Sequence, residues 1–186
     1  MKRLTLILTI LIAAASCALS AADAPKRQGW DYDKFGPLYG NVESVTITRY
    51  SLKDSLGVLS RSEIKSKSCY KFIESGDVTE VAEYGSDGSL KDRYTYKYDT
   101  NEKKTERATY NSDGSLQKKL IYKYDTKGNM TELVWYKSDG TIRNKYIYKY
   151  DTQGNKTEQA YSDGSLENRW IYKYDSKGNK TEMTLY

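Results

Sequence analysis

Histidine is absent from all 186 residues, which takes away the commonest general base and the commonest metal ligand. Cysteine occurs only twice, too rarely for a thiolate metal site, so neither a metal nor another cofactor is expected. The two prolines, Pro25 and Pro37, stand before the main body of the chain, and aliphatic residues thin out beyond residue 22. A thick two-layer core is therefore under-supplied. Charge of one sign never accumulates: 30 Lys and Arg alternate with 25 Asp and Glu for a net charge of +5. That pattern excludes the basic patch of a nucleic-acid-binding protein. The apolar stretch from Leu4 to Ala15 is too short to cross a bilayer as a mature helix, which takes about 20 residues.

That stretch follows Lys2 and Arg3 and precedes small residues around Ala18 to Ala22, the three parts of an export signal. Cleavage after Ser20 or Ala22 is the expected route, making residues 1–22 a signal peptide and the mature chain periplasmic or extracellular. The alternative is acylation of Cys17, after Ala14-Ala15-Ser16, which gives a membrane-anchored lipoprotein. Only that form is expected to touch a membrane. Either route leaves Cys69 without a partner, and its place before Tyr70-Lys71-Phe72 reads as a half-buried small apolar side chain on a strand.

What is abundant is tyrosine, 19 in all. Tyr-Lys-Tyr-Asp recurs at Tyr96–Asp99, Tyr122–Asp125, Tyr148–Asp151 and Tyr172–Asp175, spaced by 26, 26 and 24 residues. A fixed period of this size marks an array of one supersecondary unit. Between these phrases runs Gly-Asn-x-Thr-Glu, then an aromatic residue and Ser-Asp-Gly, as in Gly128–Glu132, Tyr136 and Ser138–Gly140. Arg143 to Tyr150 alternates strictly and is rich in aromatic and β-branched residues, which predicts a strand, with Asn129 to Tyr136 as its weaker partner. Tyrosine, apolar in body and polar at its tip, suits a sheet surface that stays partly wet.

Two strands per unit predict an all-β, antiparallel β-meander of about eleven strands, built from 24–26-residue hairpin repeats between residue 41 and the end. An elongated, twisted single sheet is expected, with a closed β-barrel as the alternative. Residues 23–39 read as a leader and 40–186 as the repeat domain, clear over 70–186 and degenerate over 40–69. Three-residue loops, each a type I turn followed by a left-handed glycine and its bulge, are expected at Thr126-Lys127-Gly128 and Ser138-Asp139-Gly140. Strand faces depend on register, because a slip of one residue inverts them. The simplest register sets Tyr122 opposite Glu132 and Leu120 opposite Val134, which puts Glu80, Glu106, Glu132, Glu158 and Glu182 on the tyrosine face. Tyrosine hydroxyls are then expected to bond those carboxylates. The unit after Asp99 has Thr100-Asn101-Glu102 where glycine belongs, so Asn101 or Glu102 must take the left-handed position.

The string Tyr-Asp-x-x-Gly-Asn, present at Tyr124–Asn129, Tyr150–Asn155 and Tyr174–Asn179, resembles the YD repeat of bacterial Rhs proteins over about residues 70–186. The resemblance implies β-hairpins, which in that family spiral into a hollow shell, often around a carboxyl-terminal toxin. This chain differs in its few units and 24–26-residue period, and it ends inside a repeat at Tyr186. No toxin-delivery role is carried over.

Repeated carboxylates in equivalent settings do not form an acid and base pair of differing environments, so no catalytic residues are assigned. The expected function is that of a non-enzymatic exported scaffold or binding surface, its partner an envelope protein or a glycan. The alternative is a carbohydrate or peptidoglycan binder using exposed aromatics. Binding sites on arrays lie where the repeat is broken, and Trp135, which replaces Thr109 of the preceding unit, is such a break. The same register places Trp135 between Lys119 and Arg143, on the face away from the tyrosines, as the candidate binding site.

Overall fold

The computed structural model describes residues 7–15, 38, 41–165 and 167–186. Among them there is no helix. The strands are β1 (Ile7–Ala15), β2 (Asn41–Ser55), β3 (Val58–Phe72), β4 (Val78–Tyr84), β5 (Leu90–Tyr98), β6 (Lys104–Tyr110), β7 (Leu116–Tyr124), β8 (Met130–Lys137), β9 (Ile142–Tyr150), β10 (Lys156–Ser162), β11 (Glu167–Tyr174) and β12 (Lys180–Leu185). Their order in the sheet is the chain order, β1 to β12. The array is an open antiparallel meander, and the barrel alternative is set aside. Eleven strands follow residue 41, as the period predicts. β1 is additional and lies within the segment read as an export signal, pairing with β2 from Ile7 opposite Tyr50 to Ala15 opposite Asn41. Cys17, both cleavage positions and the expected leader apart from Leu38 lie outside the described residues.

The chain divides into two compact units, Met1–Tyr96 with Tyr110–Ser115, and Lys97–Thr109 with Leu116–Tyr186. The first holds the aliphatic core: Leu38, Val42, Val45, Ile47, Phe72, Val78 and Val81 are buried together, with Tyr70, Tyr94 and Tyr96 against them. Each such aliphatic side chain contributes about 1.5–3 kcal/mol relative to exposure. Beyond this core β2 and β3 run on as an arm, since the pairing with β1 stops at Tyr50 and that with β4 begins at Lys67. The arm closes through a two-residue turn in which Leu56 and Gly57 have φ of 56° and 83°. Leu56, Val58 and Leu59 are exposed there.

The second unit has little aliphatic core, with Ala108 and Val134 its buried apolar residues among those described. Its turns are held by side chains. At Asp125-Thr126-Lys127-Gly128, the Gly128 amide donates to the Asp125 carbonyl (3.0 Å) and the Asp125 amide to the Asn129 carbonyl (2.9 Å), with Gly128 at φ 86°. These are the expected three-residue loops. The Asp125 carboxylate also accepts from the amides of Lys127 and Asn129 at 3.0 and 2.8 Å and from Asn129 Nδ2 at 3.0 Å. Asp151 and Asp175 repeat the arrangement, which is why Tyr-Asp-x-x-Gly-Asn recurs as a block.

The register departs from the expected one immediately after each loop. Tyr124 faces Met130, but Lys123 then faces Glu132, so Thr131 is an extra residue, a β-bulge. Thr79, Thr157 and Thr181 are skipped in the same way, which gives the threonine of the Gly-Asn-x-Thr-Glu string its role. In the other hairpin Tyr136 faces Ile142 and Trp135 faces Asn144, leaving Arg143 as the bulge. Two single-residue slips per unit cancel. The tyrosine strands therefore share a face as expected, Tyr122 and Tyr146 both facing Leu133, while the strand between them is inverted. Glu132, Val134 and Tyr136 lie on the lysine face, and Leu133 and Trp135 on the tyrosine face.

Candidate functional site

On the lysine face each repeated glutamate is bound by cations. Glu132 lies 2.7 Å from Lys123 Nζ and 3.0 Å from Lys145 Nζ. Glu158 lies 3.1 Å from Lys149 and 2.9 Å from Arg169, and Glu80 lies 2.8 Å from Lys71 and 3.5 Å from Arg93. Lys97 meets Glu106 at 3.0 Å and Lys173 meets Glu182 at 2.8 Å. The expected tyrosine partners of these carboxylates are replaced, because the bulge moves the glutamates to the other face. The Lys123 hydrogen bond to Glu132, and the Arg169 bond to Glu158, hold those carboxyls below the ordinary glutamate value. They stay ionised and act as rungs of a ladder. The tyrosine hydroxyls donate to backbone instead: Tyr124 to the Lys104 carbonyl (2.9 Å), Tyr150 to that of Met130 (2.9 Å) and Tyr174 to that of Lys156 (2.7 Å).

The oxygens of the turn aspartates are likewise taken up by the turn's own donors, and no cluster of metal-ligating side chains occurs among the described residues. Cys69 is a partly buried free thiol, its Sγ 3.6 Å from Thr46 Oγ1 and its strand position opposite Ala82.

Trp135 is the break in the repeat that the sequence singled out, and its surroundings differ from those expected. The indole lies on the tyrosine face, with the Arg143 guanidinium 4.4 Å and the Lys118 ammonium 5.5 Å from the ring centroid. Arg143 reaches it because, as the bulge residue, it sits beside Asn144 on Trp135's side. Lys119 is on the opposite face, 5.3 Å over the Tyr136 ring. The inverted strand thus brings Arg143 to Trp135, separates Lys119 from it and puts Lys118 in its place. A shallow cleft of about 280 Å³ adjoins the indole, lined by Gln117, Lys118, Lys137, Ser138 and Arg143. Both cations lie over the indole ring, each contact contributing about 0.5–1 kcal/mol when exposed. Lys118 was missed because a single extra residue decides which of two adjacent lysines faces the indole. The available signal was the invariant threonine after Gly-Asn-x.

No family model and no curated protein matches the chain. Among solved structures it is similar to a porin-like protein from Bacteroides uniformis ATCC 8492, at 12% identity and a TM-score of 0.38, over 75% of this chain and 51% of that one. It is also similar to TcdB2-TccC3, at 13% identity and a TM-score of 0.43, over 79% of this chain and 11% of that one. A TcdB2-TccC3-Cdc42 structure is similar at 15% identity and a TM-score of 0.36, over 77% and 8% of the two chains. The chain thus spans about half the length of the porin-like protein and about a tenth of the TcdB2-TccC3 chains.

Proposed function

We propose that this chain is a non-enzymatic, exported YD-like repeat protein whose sheet serves as a binding surface in the cell envelope or outside the cell. The observation that carries this reading is the division of labour among its side chains. Turn aspartates, laddered glutamates and the hydroxyls of Tyr124, Tyr150 and Tyr174, groups that recur, are engaged in holding the array together. Trp135, half-buried with Lys118 and Arg143 over its ring, does not recur. The three-part amino terminus supports export, and the Asp-held turns support membership of the YD-repeat group.

A glycan is the partner that this clamp favours, because an indole face stacks on a sugar ring while flanking cations meet acidic substituents. Parent protein and Trp135→Ala are to be titrated with peptidoglycan fragments and acidic polysaccharides while tryptophan fluorescence is followed. A saturable response in the parent, lost in the variant with an unchanged melting temperature, is expected. A silent panel, or equal responses from both proteins, overturns the glycan assignment. Turnover of any of these polymers by the parent overturns the non-enzymatic reading.

A further inference from the structure

One strand position repeats with a tyrosine in all but one unit. Tyr84, Tyr110, Tyr136 and Tyr186 each stand four residues after the repeated glutamate, and the corresponding residue of the shortened unit is Ser162. Each position faces a cation across the strand pair. Lys67 lies 5.8 Å over Tyr84, Arg93 4.4 Å over Tyr110 and Lys119 5.3 Å over Tyr136. Tyr186 exchanges both backbone hydrogen bonds with Arg169. Ser162 faces Lys145 in the same manner, but it carries no ring.

The consequence is a cleft of about 520 Å³ on the lysine face. Its floor is Ile147, 38% exposed, with Ala160 beside it. Lys145 and Arg169 stand at its sides, tethered through Glu132 and Glu158, and the exposed Tyr186 forms a further wall. The pairing of β10 with β11 runs without a bulge through this region, from Glu158 opposite Ile171 to Ser162 opposite Glu167. Tyr161 of the same strand also lines the cleft, but Ser162, the residue that faces Lys145, carries no ring.

We infer that this cleft is a seat for an aromatic side chain, the phenol ring of a tyrosine carried by a partner peptide. Three units show how such a ring is held here, by a cation over its face. The seat combines that cation with an apolar floor and a second cation, and the electron-rich ring face complements both. It is separate from the Trp135 clamp, which lies on the other face, and its test is independent of that site.

The probe is N-acetyl-tyrosinamide, titrated into the exported protein while the methyl resonances of Ile147 and Ala160 are followed by NMR. Saturable shifts at both methyls are expected. The cyclohexyl analogue, which lacks the π face, is expected to bind about threefold more weakly, and so is the parent probe to Lys145→Met. Ser162→Tyr refills the seat with the residue other units carry, so it is expected to abolish the shifts without lowering the melting temperature. Lys145→Met keeps the proposal open to refutation if Ser162→Tyr does not fold. Absence of shifts in the parent, undiminished binding in either variant, or a response to N-acetylglucosamine in place of the tyrosine probe overturns the assignment.

Discussion

Replacing Glu102 by glycine is expected to stabilise the protein, although it removes a charged side chain. Glu102 has φ 60°, where the equivalent Gly128, Gly154 and Gly178 have 86°, 91° and 82°. It is held there by its turn: its amide donates to the Asp99 carbonyl (3.1 Å), while Asp99 Oδ1 accepts from the amides of Asn101 and Lys103, both at 2.9 Å. An L-residue in this region costs about 1–2 kcal/mol. Glycine returns about 0.5–1 kcal/mol of that through its greater freedom in the unfolded chain. The net gain is about 0.5–1 kcal/mol, a rise in melting temperature of about 1–4 °C for a chain of this length. Gly140→Ala is the mirror experiment, since Gly140 has φ 83° and an added Cβ meets nothing within 4 Å. It is expected to lose about what Glu102→Gly gains. Glu102→Gln keeps the backbone problem while removing the charge, and it should melt close to the parent. The assay is thermal unfolding followed by circular dichroism. If Glu102→Gln stabilises as much as Glu102→Gly, the charge and not the backbone is responsible, and the reasoning fails.

Two further outcomes follow from the turns and the ladder. Asp125, Asp151 and Asp175 are held below the ordinary aspartate range chiefly by hydrogen bonds from Asn129, Asn155 and Asn179, and Glu132 and Glu158 are lowered by their cations. A carboxyl depressed in the folded state stabilises above its unfolded pKa, so urea midpoints should be flat at neutral pH and fall as pH drops below about 4; a midpoint that rises on acidification refutes this. Deleting Thr131 should be far more damaging than Thr131→Ala, because deletion turns Glu132, Val134 and Tyr136 toward the other face; equal melting temperatures for the two variants would contradict the bulge.

The turns were legible in the sequence because their chemistry is local. Asp125 and Gly128 announce the loop, and the missing glycine at Glu102 announces the strained one. The tyrosine strands were legible because alternation marks a strand whatever its neighbours do. Facing on the intervening strand was not, since a bulge adds one residue without disturbing composition or period, and the two bulges of a unit hide each other in the spacing of the tyrosines. The candidate site inherited that error: Trp135 and Arg143 meet, but Lys118 and not Lys119 completes the clamp. The first unit was less legible still. Its core depends on Leu38 and on two 15-residue strands that lie almost wholly before the clear repeats and meet through long-range packing that no periodicity records.

The bulges also bear on how such a gene can change. Eight residues separate Lys123 from its partner Glu132, and eight separate Trp135 from Asn144, whereas six separate Tyr161 from Asn168. All are even, and in the full-length hairpins it is the extra bulge residue that makes them so. An odd loop without its bulge would turn one strand inside out. Codons are therefore expected to enter or leave these hairpins in pairs, and the shortened unit, two residues lighter and still correctly faced, fits that expectation.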